Sequence, residues 1–267
     1  DPSCGSGIFL VAIFNRLAEE WKIKNPKARN DRRARELRDI LCSSLHGVDI
    51  NPTACRISAF SLYLAYLDQL SPRDIRELRD NGHRLPKLVR YSNAVAKQRV
   101  EGNITCGDFF AEEEDYATNV DLVVGNPPWG SLATEKTPAS RWCERNECSV
   151  PDKQIAAAFV MKAPKHVSGK GKICFVIPYG TLFNHGNTAV SFQRDLFAKH
   201  SVDRVLNLAD YASFLFAEDK HPALVISYRR TPPEDANRYI EYWVPKADWL
   251  VTRAALISIA PEDRSSL

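Results

Sequence analysis

Val120-Asp121-Leu122-Val123-Val124-Gly125-Asn126-Pro127-Pro128-Trp129-Gly130 decides how the rest of this chain is read. Val120 to Gly125 is a short apolar run with β-branched residues, the pattern of a buried strand. Two consecutive prolines cannot continue a central strand, because neither carries the N–H that a ladder needs. The strand therefore stops at Asn126. An amide, a stiff carbonyl-bearing turn and a large aromatic ring are presented at its carboxyl end. In open α/β sheets that end is where ligands bind. Alone, these residues read equally well as a strand followed by a proline turn.

Upstream, the sequence opens on Asp1-Pro2-Ser3-Cys4-Gly5-Ser6-Gly7. Ile8 to Trp21 then has helical periodicity, with Ile8, Leu10, Val11, Ile13, Phe14 and Leu17 on a broad apolar face. A Gly-x-Gly turn opening a helix lets backbone pass close to a ligand and aims free N–H groups at an anion. No strand precedes that turn, so the fold is expected to lack its first strand. Lys22 to Arg38 is dense in Lys and Arg; it reads as a solvated connector and helix face that could also touch a phosphate backbone. Leu45 to Ile50 reads as a strand ending on Asp49. Asn51 and Pro52 are the N-cap and first position of a helix with an apolar interior from Ile57 to Leu70. Ser71 to Arg99 is polar and irregular, reads as a helical excursion plus a loop, and carries no assignable chemistry. Asn103 to Cys106 reads as a strand leading to Gly107-Asp108-Phe109-Phe110.

Downstream, Leu132 to Val150 reads as a polar loop. Arg141, Trp142 and Arg145 within it are an aromatic between two cations, which suits nucleic acid as well as an ordinary surface loop. Asp152 to Val167 is helical, Gly169 to Lys172 a turn, and Ile173 to Pro178 a strand. A helix over Thr188 to His200 and strands at Val202 to Leu208 and Ala223 to Tyr228 follow. Tyr239 to Val244 reads as an edge strand. Alternating strands and helices predict an α/β fold with a doubly wound, mostly parallel sheet.

A chain of 267 residues is long enough for one large domain or a domain with an appendage. No apolar run could span a bilayer, so no membrane partner is expected. Seven scattered cysteines without CxxC spacing favour a reduced, cytoplasmic protein with no structural metal. A net charge of +3 permits a nucleic-acid partner without demonstrating one.

Asp1, Asp49 and Asp108 each stand at the expected carboxyl end of a separate strand, beside Asn126. One such acid is usually a turn or cap; three, with a Gly-x-Gly turn and an Asn-Pro-Pro-aromatic, outline a two-ligand crevice. With this set the sequence resembles the S-adenosylmethionine-dependent, adenine-specific (N6) DNA methyltransferases of restriction–modification systems. The matching stretches are DPSCGSG at 1–7, GVDINP at 47–52, GDFF at 107–110, NPPWG at 126–130 and GKICFVIP at 171–178, with the segment from Phe214 to Tyr228. The resemblance implies a Rossmann-like methyltransferase fold with a seven-stranded type of sheet. It places the catalytic domain at residues 1–230, incomplete at its amino end. Residues 231–267 would then be an edge strand and tail leading towards a recognition region outside this sequence.

The resemblance also implies roles. The side-chain oxygen of Asn126 and the carbonyl of Pro127, stiffened by Pro128, would accept hydrogen bonds from the exocyclic amine of adenine. Trp129 would stack on the flipped base, with Phe216 as the second ring. Asp1, Gly5 and Gly7 would hold the methionine part of the cofactor, Asp49 its ribose, Ile50 and Phe109 its adenine ring, and Asp108 its adenine amine. S-adenosyl-L-methionine is the implied cofactor, double-stranded DNA the implied substrate, and a specificity or restriction subunit or domain the implied companion. NPP-aromatic is shared with methylases of ribosomal RNA guanine. A guanine-N2 methyltransferase is therefore one rival reading, and a catalytically silent fragment that binds DNA or a partner is another.

Overall fold

The computed structural model describes residues 1–80, 82, 84–91, 101–112, 116–132, 136–215, 221–235, 239–246 and 264–266. The chain forms two compact units, Asp1–Tyr116 and Ala117–Leu267.

In the first unit, α1 (Ile8–Lys24) buries Leu10, Phe14 and Ala18, one residue per turn along a single stripe. It ends at Asn25, whose side chain donates back to the Trp21 carbonyl at 2.9 Å. The basic connector contains α2 (Asn30–Asp39), continued by a π-helical turn at Ile40–Ser44. Arg32 and Arg35 face solvent and pair within the helix with Glu36 and Asp31, while Arg33 is half-buried. Next come β1 (Gly47–Asp49), α3 (Pro52–Asp68), α4 (Pro72–Asp80), β2 (Val89–Tyr91) and β3 (Ile104–Cys106). β3 lies between β1 and β2, parallel to both. Helix α4 is the helical excursion expected after Ser71, whereas β2 is not expected from the sequence. β2 has only three residues and no alternation long enough to register as a strand.

α3 starts as the sequence predicts. The Asn51 side chain accepts from the Thr53 and Ala54 amides, and Pro52 follows at a position that needs no N–H. Removing that cap with Asn51→Ala is expected to cost about 1 kcal/mol, read as a lower denaturant midpoint at unchanged slope. Leu10, Phe14, Leu37, Leu41, Leu62 and Leu88 form the centre of the core, so α1, α2 and α3 all pack around the small sheet. Burying each such side chain is worth about 1.5–3 kcal/mol, which outweighs any single cap.

In the second unit, β4 (Val120–Gly125) is followed by α5 (Pro138–Arg145), α6 (Ile155–Lys162), β5 (Val167–Pro178), α7 (Tyr179–Phe183) and α8 (Asn187–Lys199). The chain continues through β6 (Ser201–Asn207), α9 (Ala212–Leu215), β7 (Ala223–Arg229), β8 (Glu241–Trp243) and β9 (Arg264–Ser266). The sheet order is β4-β5-β7-β6-β8-β9. β4 runs parallel to β5 and β6 to β8, whereas β7 is antiparallel to both its neighbours. β9 pairs outside β8, so the expected edge strand has a neighbour beyond it. Alternate residues of β5 and β7 (Ile173, Phe175, Ile177; Leu224, Ile226, Tyr228) are fully buried. The Tyr228 hydroxyl donates to the Val160 carbonyl at 2.6 Å and ties the sheet to α6.

Three expectations change here. The turn at Gly169 to Lys172 is strand: β5 begins at Val167, and the β4–β5 register shifts between Val120 and Leu122. A Cβ on Gly171 would stand 2.8 Å from the Asp121 carbonyl, so this glycine marks a close crossing at a bulge rather than a chain reversal. β4 is buried at Val123 and Gly125, yet Leu122 is 43% exposed, because β4 stands at the end of the sheet order. And the loop holding Arg141, Trp142 and Arg145 contains α5, capped by Thr137, with Trp142 only 6% exposed. That ring belongs to the core and is not offered to nucleic acid. Thr137-Pro138 was the readable start signal.

Candidate active site

The first unit brings Asp49 and Asp108 to one end of its sheet, with Asp1 set back opposite Gly47. Asp1 to Cys4 runs along β1: the Val48 amide donates to the Asp1 carbonyl and the Cys4 amide to the Val48 carbonyl, both at 2.9 Å. Asp49 ends β1 opposite Cys106, and the Gly107 amide donates to the Asp49 carbonyl at 2.9 Å, which places Asp108 beside it. Asp49 is the hub. Its Oδ2 accepts from the Gly5 amide at 2.8 Å and its Oδ1 from the Asn51 amide at 2.9 Å. One carboxylate thereby fixes the glycine turn and the start of α3. Each oxygen has a second lone pair, so it can still accept from a ligand hydroxyl. Asp108 takes the Phe110 amide on Oδ1 at 2.8 Å.

The two glycines differ in their reason for being glycine. Gly5 has φ +51 and an added Cβ would meet nothing within 4 Å, so open space lies in front of this turn. Gly7 has φ +83, and its Cβ would stand 2.5 Å from Ser58 Oγ, so it answers to the packing of α1 on α3. Beside the turn, Asp1 Oδ2 is buried without a partner, while Oδ1 accepts from the Ser3 amide. A buried carboxylate oxygen left without a donor is costly unless a ligand supplies one. Ile50 is 72% exposed beside Asp49, an apolar side chain awaiting cover. Phe109 is 5% exposed and packs edge-on against Phe110, so little of its ring is open. Burial, then the charge of Asp49, pushes the Cys4 thiol up to about 11. It therefore stays protonated at neutral pH and is a poor nucleophile beside an electrophile.

In the second unit, β4 delivers Asn126 exposed, Pro127 buried, Pro128 exposed and Trp129 half-buried. The Trp129 indole N–H donates to Asn126 Oδ1 at 2.9 Å. This bond fixes which way the amide faces, because only the oxygen can accept it. No local sequence pattern announces this bond. The far end of the loop is held by α6, whose Ile155 amide donates to the Gly130 carbonyl at 3.0 Å. Phe216, the predicted second ring, lies outside the described residues.

A cavity of about 850 Å³ in the first unit is lined by Arg38, His46, Arg84, Lys87 and Asn103 among others. His46 and Asn103 precede β1 and β3, so this cavity opens at the opposite strand ends from Asp49 and Asp108. Among the described residues no group of three or more His, Cys, Asp or Glu could hold a metal ion, and no helix is long and apolar enough to cross a membrane.

Comparison with known proteins gives a consistent picture. A family model described as Eco57I restriction-modification methylase matches residues 43–214. The chain is 30% identical over 152 residues to the adenine-specific methyltransferase PglX of Streptomyces coelicolor, covering 48% of this chain and 12% of that protein. It is 25% identical over 154 residues to the type II restriction enzyme and methyltransferase RM.Eco57I of Escherichia coli, covering 51% of this chain and 14% of that protein. The chain thus spans only about an eighth of the length of these curated relatives. Among solved structures, a modification subunit of a putative type I restriction enzyme from Vibrio vulnificus superposes with a TM-score of 0.62 at 16% identity. That match covers all of this chain and 50% of the other. At that identity the likeness shows the fold, an α/β, Rossmann-like one.

Proposed function

The chain belongs to the Eco57I restriction-modification methylase family, and on that premise we propose that it transfers a methyl group from S-adenosylmethionine to the N6 amine of adenine in DNA. The observation that carries this reading is the Asn126 amide, exposed at the end of β4 and oriented by the Trp129 indole N–H. S-adenosylmethionine, when bound, supplies an electrophilic methyl group on a sulfonium. The chain's own task is to prepare the acceptor nitrogen, whose lone pair is delocalised into the base.

Asn126 Oδ1 and the Pro127 carbonyl each accept one hydrogen bond from the amine. Two acceptors at that spacing draw the nitrogen towards tetrahedral geometry and localise its lone pair. This is positioning with fixed dipoles, and no strong general base is needed. Adenine in a duplex cannot reach such a loop, so it is flipped out, and Trp129 stacks on it. In the first unit, the unpartnered Asp1 Oδ2 fits the methionine ammonium, and the space before Gly5 fits the methionine chain. Asp49 takes the ribose hydroxyls, Ile50 covers the adenine ring and Asp108 accepts from its amine. Residues 1–230 make up the catalytic domain in this reading. Double-stranded DNA is the substrate, the cytoplasm the location, and a specificity or restriction subunit or domain the companion.

The test is transfer of labelled methyl groups to unmethylated DNA and, in parallel, to ribosomal RNA. Label at adenine N6 of DNA is expected; label in RNA alone would instead support guanine methylation. Trp129→Ala is expected to lose base stacking worth about 1–3 kcal/mol. With 2-aminopurine at the target position, its fluorescence gain on binding should fall. An unchanged gain would return Trp129 to a packing role.

A further inference from the structure

We propose that the turn Pro151–Gln154 is a clamp on the acceptor loop, with Asp152 and Gln154 as positioning residues for methyl transfer. This rests on the proposed reaction for its catalytic meaning. Its geometry lies wholly within the second unit.

Asp152 (φ 43, ψ 31) and Lys153 (φ 58) are consecutive residues in the left-handed region, which neither side chain favours. Such conformations persist only where surrounding bonds over-determine them. Beyond the turn's own local backbone bonds, its contacts lead to two places. Towards the acceptor loop, the Leu132 amide donates to the Lys153 carbonyl at 2.6 Å and the Ile155 amide to the Gly130 carbonyl at 3.0 Å. Ser131 and Gln154 form an antiparallel bridge between those two contacts. Towards the end of β5, the Thr181 hydroxyl donates to Gln154 Oε1 at 2.5 Å, and the Asn184 side chain donates to Asp152 Oδ2. Asn184 is itself held by α8, where Gln193 Nε2 donates to the Asn184 carbonyl at 2.9 Å and to the Leu182 carbonyl at 2.7 Å.

β4 and β5 are adjacent and parallel, with Gly125 opposite Phe175. Asn126–Trp129 and Tyr179–Asn184 therefore leave the same end of the sheet side by side. The strained turn bonds to Gly130–Leu132, just beyond the first, and to Thr181 and Asn184 of the second. It fixes the Gly130–Leu132 exit of the loop, just as β4 fixes its Asn126 entry. A loop held at both ends keeps the Asn126 oxygen and the Pro127 carbonyl at one separation. Small displacements of such a pair are costly, on the order of 10²-fold in rate for 1 Å.

The test uses the full-length protein with Gln154→Ala, Thr181→Val, the double variant and Gln154→Glu. Thr181→Val is isosteric and keeps the fold if Gln154→Ala proves too disruptive. Both single variants should lower kcat on DNA by about 10- to 100-fold, with KM for S-adenosylmethionine within two-fold of wild type. The double variant should lose no more than the worse single one, and Gln154→Glu, which retains the acceptor for Thr181, should recover most of the rate. Hydrogen exchange at the Leu132 and Ile155 amides should quicken in step. Unchanged exchange at both amides, or turnover within two-fold of wild type, would overturn the clamp. If the wild-type protein labels no adenine, the proposed reaction fails, while exchange still decides the clamp on its own.

Discussion

Asn126→Ala is expected to reduce methyl transfer to DNA by about 10²–10³-fold or more, while affinity for S-adenosylmethionine stays within a few-fold. The amide is the one group in the acceptor loop that combines a fixed direction with an exposed position. Its loss removes the proposed acceptor for the adenine amine and also an acceptor for the Trp129 indole N–H. Asn126→Asp keeps an oxygen for both donors and should retain measurable activity. Isothermal calorimetry with the cofactor, alongside single-turnover transfer, separates the two effects. If cofactor affinity collapses with the alanine variant, Asn126 faces the donor and its placement here is wrong.

Gly7→Ala is expected to destabilise the first unit strongly. The new Cβ would meet Ser58 Oγ at 2.5 Å, Ser58 Cα at 3.0 Å and Ser58 Cβ at 3.1 Å, at φ +83. The hydroxyl can rotate away, but the α3 backbone cannot. Overpacking of about 1–3 kcal/mol adds to about 1–2 kcal/mol for the left-handed conformation. Gly7→Ala combined with Ser58→Ala should recover part of that loss. Gly5→Ala meets open space and bears only the conformational cost, so its stability should fall far less. Its cofactor affinity should nevertheless fall sharply, because the methyl enters the space assigned to the methionine chain. Thermal unfolding and cofactor titration of both variants check the contrast. Equal stability losses would mean that Gly5, too, is a packing glycine.

Much of this was legible in the sequence because it depends on local chemistry. Two prolines end β4 wherever it is placed, and Asn51-Pro52 starts a helix by capping and by a missing N–H. Periodicity gave α1 and the interior of α3 because their buried stripes recur once per turn. Asp49 and Asp108 could be read as strand ends because each follows a short run with a β-branched residue, whereas Asp1 was placed by the resemblance. What failed did so for non-local reasons. Gly169 and Gly171 look like a turn, yet the second is required by the approach of the Asp121 carbonyl from another strand. Trp142 sits between arginines in sequence, but helical geometry turns it into the core and leaves the arginines on the surface.

The sequence by itself determined the ends of the strands, the residue types at those ends and, through them, the family resemblance. These follow from φ restriction, missing donors and side-chain chemistry, which travel with each residue. Only the tertiary structure decided that Asp49 bonds both the glycine turn and the α3 cap, and that Gly5 faces open space while Gly7 faces Ser58. It alone decided that the Trp129 N–H orients Asn126 and that a left-handed turn at Asp152–Lys153 grips the far end of the acceptor loop. The reason is the same in every case. A hydrogen bond or a close approach between residues distant in sequence depends on where two backbones arrive, and no local pattern records that.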